Sequence, residues 1–355
     1  MQFLAAVIGA SLVVVVLADM VNTLVTTSTS TKRWWLTRVA YRIMWKAVRR
    51  VATRRDGTAR ESLLSAFAPV SVLILLGVWV TQQIVGFALI WWGIGGIDGA
   101  VTFGDHLYYS GVVYFTLGFG ELVPSAAVPR IGALVEAFAG VLTTALVIGY
   151  LPALYGAYGE RERRLMTLDD GGEDRITPTN LVIARAPDGD HHKLDGFFKE
   201  WEDWIAGVIE THTTFPMLAF FRSKDPGQNW VTAVGLVTDA ALHIQMVEGA
   251  QGGQAYWTIR RAIQLFQTVI GNNDLTDYLE PPDPDVGAAL FRELYDRMSE
   301  HGFDLVDFDT ARERGRELRS MYGPAMEFLI DELVAPRGFW SHAVGHRVDH
   351  DDHST

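Results

Sequence analysis

The residues whose spacing could do chemistry are Thr116, Leu117, Gly118, Phe119, Gly120 and Glu121, and the chemistry is that of backbone carbonyls. A monovalent cation leaves water only where other oxygens replace its hydration shell, and an extended strand supplies them by turning successive C=O groups toward one axis. Glycine accepts φ > 0 without the penalty a Cβ imposes. Gly118 and Gly120, at alternate positions, therefore let the strand keep successive oxygens on one side. The Thr116 hydroxyl adds an oxygen at the inner end. One strand cannot surround an ion, and the sequence holds one such segment, so closure requires identical subunits around a symmetry axis. The competing reading is a plain glycine turn between apolar segments; the flanking architecture speaks against it.

From Thr102 to Glu121 the sequence TFGDHLYYSGVVYFTLGFGE resembles the pore helix and selectivity filter of prokaryotic two-transmembrane-type potassium channels, whose usual filter reads T-V-G-Y-G-D. Thr116, Gly118 and Gly120 match directly, while Leu117 stands for Val, Phe119 for Tyr and Glu121 for Asp. The resemblance implies a homotetramer whose filter is Thr116, Leu117, Gly118, Phe119 and Gly120. K+ would be the transported ion, held at Thr116, Leu117, Gly118 and Phe119, with no cofactor and no covalent chemistry. Tyr108 and Tyr109 fall where that family has paired pore-helix aromatics, which implies that they support the filter together with Glu121. Phe119 keeps the carbonyl of the usual Tyr and loses its phenol hydrogen bond. Val112 stands where some members carry a carboxylate behind the filter, so a bracing carboxyl pair is not expected there. Phe115 replaces a common second threonine.

The 355 residues carry 30 Lys/Arg and 42 Asp/Glu, a net charge of −12, distributed unevenly. Residues 1–159 hold 11 basic and 7 acidic side chains, the remainder 19 and 35. An acidic polar half argues against nucleic acid, which demands clustered positive charge. No cysteine is present, which excludes disulfides, thiolate catalysis and cysteine metal sites.

Three stretches are apolar enough for a bilayer crossing of about 20 helical residues: Phe3 to Thr27, interrupted by Asp19 and Asn22; Ser62 to Ile97, without a charge; and Ile131 to Tyr158, with Glu136 alone. The second and third flank the pore segment as outer and inner helices. Ten Lys/Arg lie between Lys32 and Arg60, and Arg161, Arg163 and Arg164 follow the third span, whereas the loop from Asp98 to Arg130 has one. The basic stretches are thus expected on the cytoplasmic side, with the N-terminus and pore loop outside and the C-terminal half in the cytosol of a cell-membrane protein. A cleaved signal peptide is the competing reading of the first span. It fails because no basic residue precedes the apolar run and cleavage would strand the basic segment outside.

The basic segment has helical periodicity, with Arg38, Arg42 and Lys46 on one face and Leu36, Val39, Ile43, Met44 and Ala47 largely on another. Such a helix would lie along the inner membrane surface, with Trp34, Trp35 and Trp45 at the interface and its cations toward anionic lipid. A voltage sensor would carry charges every third residue inside a helical bundle, and voltage gating of that type is not expected.

The inner helix should contain the gate. Gly140 resembles the hinge glycine of the family and equally suits close helix packing, and Pro152 leaves a carbonyl unpaired near the inner mouth. Glu136 reads as a hydrogen-bonding brace whose partner the sequence does not reveal.

Beyond a Gly/Asp-rich link at 169–174, the run Asn180 to Ala184 reads as one strand or an extended connector. Helices are expected over 195–222, 229–249, 255–272, 285–302 and 307–335, broken at Pro281, Pro282 and Pro284. The apolar stretch Trp230 to Val247 contains Asp239 and His243 and reads as a buried core helix. No G-x-G-x-x-G follows the candidate strand, so a Rossmann-type regulator is not expected, nor is a cyclic-nucleotide module. Asp188, Asp190, His191 and His192, and a tail with His342, His346, His350 and His353, could ligate a metal; the competing reading is a solvated loop and tail.

The expected fold class is all-α. The expected map is an N-terminal membrane helix at 1–27, a basic amphipathic linker helix at 28–61 and a pore domain at 62–159. Within the pore domain lie an outer helix at 62–97, a pore helix at 103–115, the filter at 116–121 and an inner helix at 131–158. A linker at 160–194, a helical cytosolic domain at 195–340 and a His/Asp-rich tail at 341–355 follow. The functional readings are a potassium channel, a less selective monovalent cation channel, and a membrane-tethered sensor or enzyme with a vestigial pore. No nucleophile–base–carboxylate set or phosphate loop is legible after residue 160, so catalysis is not expected.

Overall fold

A computed structural model describes residues 2–24, 35–168, 177–225, 227–273 and 288–337. The link at 169–174, the prolines at 281–284, the tail from 341, Trp34 and the side chains of Trp35, Leu36 and Arg38 lie outside the described set. The chain is an all-α membrane protein that divides into two compact units, Met1–Gly156 and Ala157–Thr355.

Among the described residues three helices are long and apolar enough to cross a bilayer: α1 (Gln2–Leu24), α3 (Gly57–Ile94) and α5 (Ala127–Leu165). α1 is packed into the unit rather than being a free anchor. A Cβ at Gly9 would strike the backbone of Gly86 and Ile90, and one at Gly93 would strike Gln2 and Ala6, so glycines on both helices set their close crossing. Inside the contact the Trp79 indole donates to the Asp19 carboxylate at 2.9 Å, both side chains buried.

Helix α2 (Trp35–Ala52) docks on the start of α3. Trp45, expected at the lipid interface, is buried: its ring lies 5.0 Å from that of Phe67, and Tyr41 meets the same ring at 5.4 Å. Ser71 donates to the Tyr41 hydroxyl at 3.1 Å. The tilted contact with the Phe67 ring gives Trp45 an apolar partner inside the protein. The far side of α2 exposes Ile43, Lys46, Ala47, Arg50 and Val51.

α3 ends at Ile94 because Gly95 and Gly96 take φ of 73° and 80°, and the Gly95 N–H caps the Trp91 carbonyl. Strands β1 (Ile97–Asp98) and β2 (Val123–Pro124) pair antiparallel, with Ile97 opposite Pro124, and close the ends of the loop between the spans. Inside that loop lies α4 (Phe103–Tyr114). α5 begins four residues before the expected inner helix and runs past Tyr158 to Leu165, so the expected linker from 160 is partly helical. The boundary between the units falls within α5, at Gly156.

The second unit is a helical bundle around α8 (Trp230–Ile244), every residue of which is buried. The other helices are α6 (Pro178–Arg185), α7 (Asp195–Thr214), α9 (Gln254–Asn273), α10 (Ala288–Glu300) and α11 (Phe308–Glu332). The expected strand at 180–184 is α6. Thr177 caps it through the Asn180 N–H, Pro178 takes its first turn, and Leu181 and Val182 face the core. The expected helix 195–222 breaks at Phe215 before Pro216 and resumes as a 3₁₀ turn, Pro216–Phe220. Asp239 enters the core on α8, where it accepts from the Tyr322 hydroxyl and lies 3.6 Å from Arg319 on α11.

The Asp19–Trp79 bond should act between α1 and α3. In detergent unfolding of the full chain, Asp19→Ala and Trp79→Phe each destabilise, and the pair falls short of additivity by about 1 kcal/mol, the range of intramembrane hydrogen bonds. Full additivity would show that the bond contributes nothing.

Candidate functional site

The site is built at the C-terminus of α4, and α4 starts where it does because Thr102 and Asp105 form a capping box. The Asp105 carboxylate accepts from the Thr102 N–H at 2.6 Å, and Thr102 Oγ1 accepts from the Asp105 N–H at 3.2 Å. At the other end the helix stops at Tyr114. The Thr116 N–H reaches the Val113 carbonyl at 2.9 Å, and the Leu117 N–H reaches that of Val112 at 2.8 Å.

The chain then leaves the helix with φ positive at every second residue: 55° at Thr116, 61° at Gly118 and 92° at Gly120. The glycines were the expected positions. Thr116 was not, because a β-branched residue is a poor occupant of φ > 0 and the conformation costs about 1–3 kcal/mol. Among the described residues nothing lies within 4 Å of the Cβ positions at Gly118 or Gly120, and Leu117 and Phe119 are 56% and 66% exposed. The described residues of the chain leave the segment uncovered.

The paired tyrosines part company. Tyr109 is 3% exposed and meets the Trp91 ring edge-on at 6.3 Å, whereas half-exposed Tyr108 places its hydroxyl against the Glu121 carboxylate.

Behind α4 lies a polar contact that sequence reasoning reached only through Glu136. This side chain, 0% exposed on α5, accepts from the Trp91 indole at 2.7 Å and bonds the Ser110 hydroxyl of α4. Ser110 also lies 2.8 Å from the Ile84 carbonyl on α3. Seven residues along α5, Thr143 Oγ1 accepts from the Tyr114 hydroxyl at 2.9 Å. Between them a Cβ on Gly140 would collide with the Tyr114 carbonyl, so the glycine lets α5 approach α4 closely here. Val112, as expected, offers no carboxylate; the one behind α4 comes from α5 instead. Trp91, Ser110, Tyr114 and Thr143 were missed, since ordinary polar and aromatic residues announce a pairing only when the partner is known. Pro152 sits inside α5, whose helical form continues through it.

In the second unit, Arg161 at the end of α5 is 2% exposed. It donates to the carbonyls of Leu218 and Phe221, both at 2.7 Å, and pairs with Glu162 at 2.9 Å. The Tyr158 hydroxyl donates to the Arg222 carbonyl at 3.1 Å.

The candidate metal cluster is otherwise engaged. Asp190 accepts from the His192 N–H, His192 Nδ1 lies 3.3 Å from Asp195, and Lys193 pairs with Asp188. Among the described residues no three His, Asp or Glu side chains are grouped to hold an ion.

An α-helix is thus followed by a segment with positive φ at every second residue, set between two membrane-length helices and braced from behind. Residues 73–155, from within α3 to within α5, match the sequence model of a family described as ion channel, so this part of the chain is similar to the channel domain of that family. The uncharacterized membrane protein YdjJ of Bacillus subtilis (strain 168) is 23% identical over 211 residues. That similarity covers 58% of this chain and 60% of the relative's length. No solved structure matches the chain.

Two histidines of the second unit are pushed down, His212 to about 3 and His243 to about 4, from an ordinary 6.5. Burial is the main cause for both, with the Arg161 charge adding to it at His212 and Asp239 opposing it at His243. The unfolded chain therefore binds protons near pH 6.5 that the folded one refuses. Stability is full above that pH and falls on acidification toward 4, by about 1.4 kcal/mol per pH unit for each histidine. Thermal unfolding of the full chain at pH 7.5 and 5.0 should show this loss, smaller in His243→Leu. A melting temperature unchanged or higher at pH 5.0 would contradict it.

Proposed function

We propose that the chain forms a homotetrameric potassium-selective channel, with K+ carried passively past the carbonyls of Thr116, Leu117, Gly118 and Phe119. The observation that carries this reading is the alternation of positive φ at Thr116, Gly118 and Gly120 in a segment that the described residues leave uncovered. Alternating hand aims successive carbonyls at one line, and four copies around that line replace a hydration shell. The C-terminal end of α4, the negative end of its dipole, meets the same segment and favours a cation there. Exposed Ile131, Leu134, Val135, Phe138 and Val141 give α5 an apolar surface for neighbouring subunits.

In this reading the pore loop faces outward, the basic α2 and the second unit are cytoplasmic, and the protein resides in the cell membrane. Arg42 and Lys46 of α2 meet anionic lipid. Tyr108 and Tyr109 support the filter with Glu121 at its mouth, and α5 carries the gate, with Gly140 and Pro152 on it. The second unit controls that gate by holding the end of α5, since Arg161 is buried among carbonyls of the 216–222 segment. The channel is not an enzyme in this account.

A less selective cation channel is the second reading. It is favoured by Leu117, by Glu121 and by Phe119, which has no hydroxyl to tie the filter outward. Reversal potentials in potassium/sodium gradients decide. A potential that follows the potassium gradient and a loss of current in Gly118→Ala are expected. A value set equally by sodium would establish the second reading, and normal current in Gly118→Ala would defeat both.

Control through α5 is read separately. Arg161→Gln leaves two carbonyls without a charged donor and should change open probability about tenfold at constant conductance. An unchanged open probability would remove the second unit from the gating account.

A further inference from the structure

Ser110 has one hydroxyl proton and two acceptors within reach, the Ile84 carbonyl at 2.8 Å and Glu136 Oε1. Both contacts are fully made at once when Ser110 donates to Ile84 and Glu136 carries a proton of its own that it donates to Ser110. The other carboxyl oxygen, Oε2, then accepts from the Trp91 indole at 2.7 Å. A neutral acid lets Ser110, the Ile84 carbonyl and the Trp91 indole all be paired at once, and leaves only the neighbouring Tyr109 hydroxyl without a partner among these groups. An ionised one would place a charge in a fully buried intramembrane site without a cationic partner among its described contacts.

The pocket is also the junction of three helices. Glu136, Gly140 and Thr143 recur at spacings of four and three residues on α5, along one helical face. Opposite them on α4 stand Ser110 and Tyr114, four residues apart, and Tyr114 is two residues from Thr116. Glu136 bonds Ser110, Gly140 lies against the Tyr114 carbonyl, and Thr143 accepts from the Tyr114 hydroxyl. A shift of α5 at this level therefore acts on the helix end that sets the first positive φ of the strand.

We propose that Glu136 is a positioning residue, a proton-carrying strut that ties the inner helix α5 to the pore helix α4 and so holds the filter in its conducting form. The proposal rests on the channel reading above and adds to it a physical link between gate helix and filter. Neither the filter sequence nor Val112 supplies that link. The strut touches no ion. It acts through Ser110 and the end of α4, and it predicts an unusual tolerance: glutamine, whose amide both donates and accepts, has the hydrogen-bonding pattern of the protonated acid.

The test is single-channel recording of the full-length channel in planar lipid bilayers, with tetramer content measured by size. Glu136→Gln should keep the wild-type open probability. Glu136→Val and Ser110→Ala should each lower it about tenfold at unchanged unitary conductance, and the double variant should be no worse than the poorer single one. If Glu136→Val does not assemble, Trp91→Phe removes only the indole bond and should show a smaller loss in the same direction. The proposal is overturned if Gln is as damaging as Val, which would require a charged carboxylate, or if Val or Ser110→Ala in an intact tetramer opens like wild type. Additive losses in the double variant would also overturn it. Failure of the channel reading itself would be seen separately, as wild-type current indifferent to the potassium gradient.

Discussion

Inside a bilayer a polar group finds no water, so pairing within the protein is strongly favoured, and two indole–carboxyl pairs of the first unit answer this constraint. Its outer helix α3 carries two buried indoles, Trp79 and Trp91, and each meets a carboxyl group on a different neighbour. Trp79 fixes α1 through Asp19, and Trp91 fixes α5 through Glu136. Apolar packing alone discriminates poorly among helix faces when lipid is as apolar as leucine. The indole–carboxyl pairs select one face of each helix, and the glycines at 9, 86 and 93 then allow α1 its close approach.

The strand after α4 depends on that frame. Thr116 with φ of 55° is strained on its own and persists only where its surroundings determine it. Those surroundings are the hydrogen bonds from the Thr116 and Leu117 N–H groups back to Val113 and Val112, the Tyr114–Thr143 bond, and the β1–β2 pair that holds the loop ends together. Residues 116–121 therefore inherit their shape from helices that precede and follow them, and present their own groups to open space.

The sequence made the spans legible because length and absence of charge are local properties, and it placed α4 within one residue because aromatic spacing and the filter letters are local too. What it hid was non-local. Glu136 was visibly a buried carboxyl, but its partners Trp91 and Ser110 stand 45 and 26 residues away. Trp45 lies on an amphipathic helix, and its burial depends on a ring contact with Phe67 on another helix, 22 residues away. α5 runs past Tyr158 because Arg161 finds carbonyls 57 and 60 residues downstream. The run at 180–184 was too short for periodicity to separate helix from strand, although Thr177 and Pro178 already marked a helix start. Positive φ at Thr116 had no signal in its residue type.

The central claim, that the carbonyls of residues 116–119 line an ion path shared by four chains, is most directly tested by anomalous scattering from thallium or rubidium in a structure of the assembled protein. The account predicts peaks on a fourfold axis at the level of Thr116, Leu117, Gly118 and Phe119, absent when sodium is the only monovalent cation. An assembly without a fourfold axis, or one whose axis at residues 116–119 holds no monovalent cation, would contradict it.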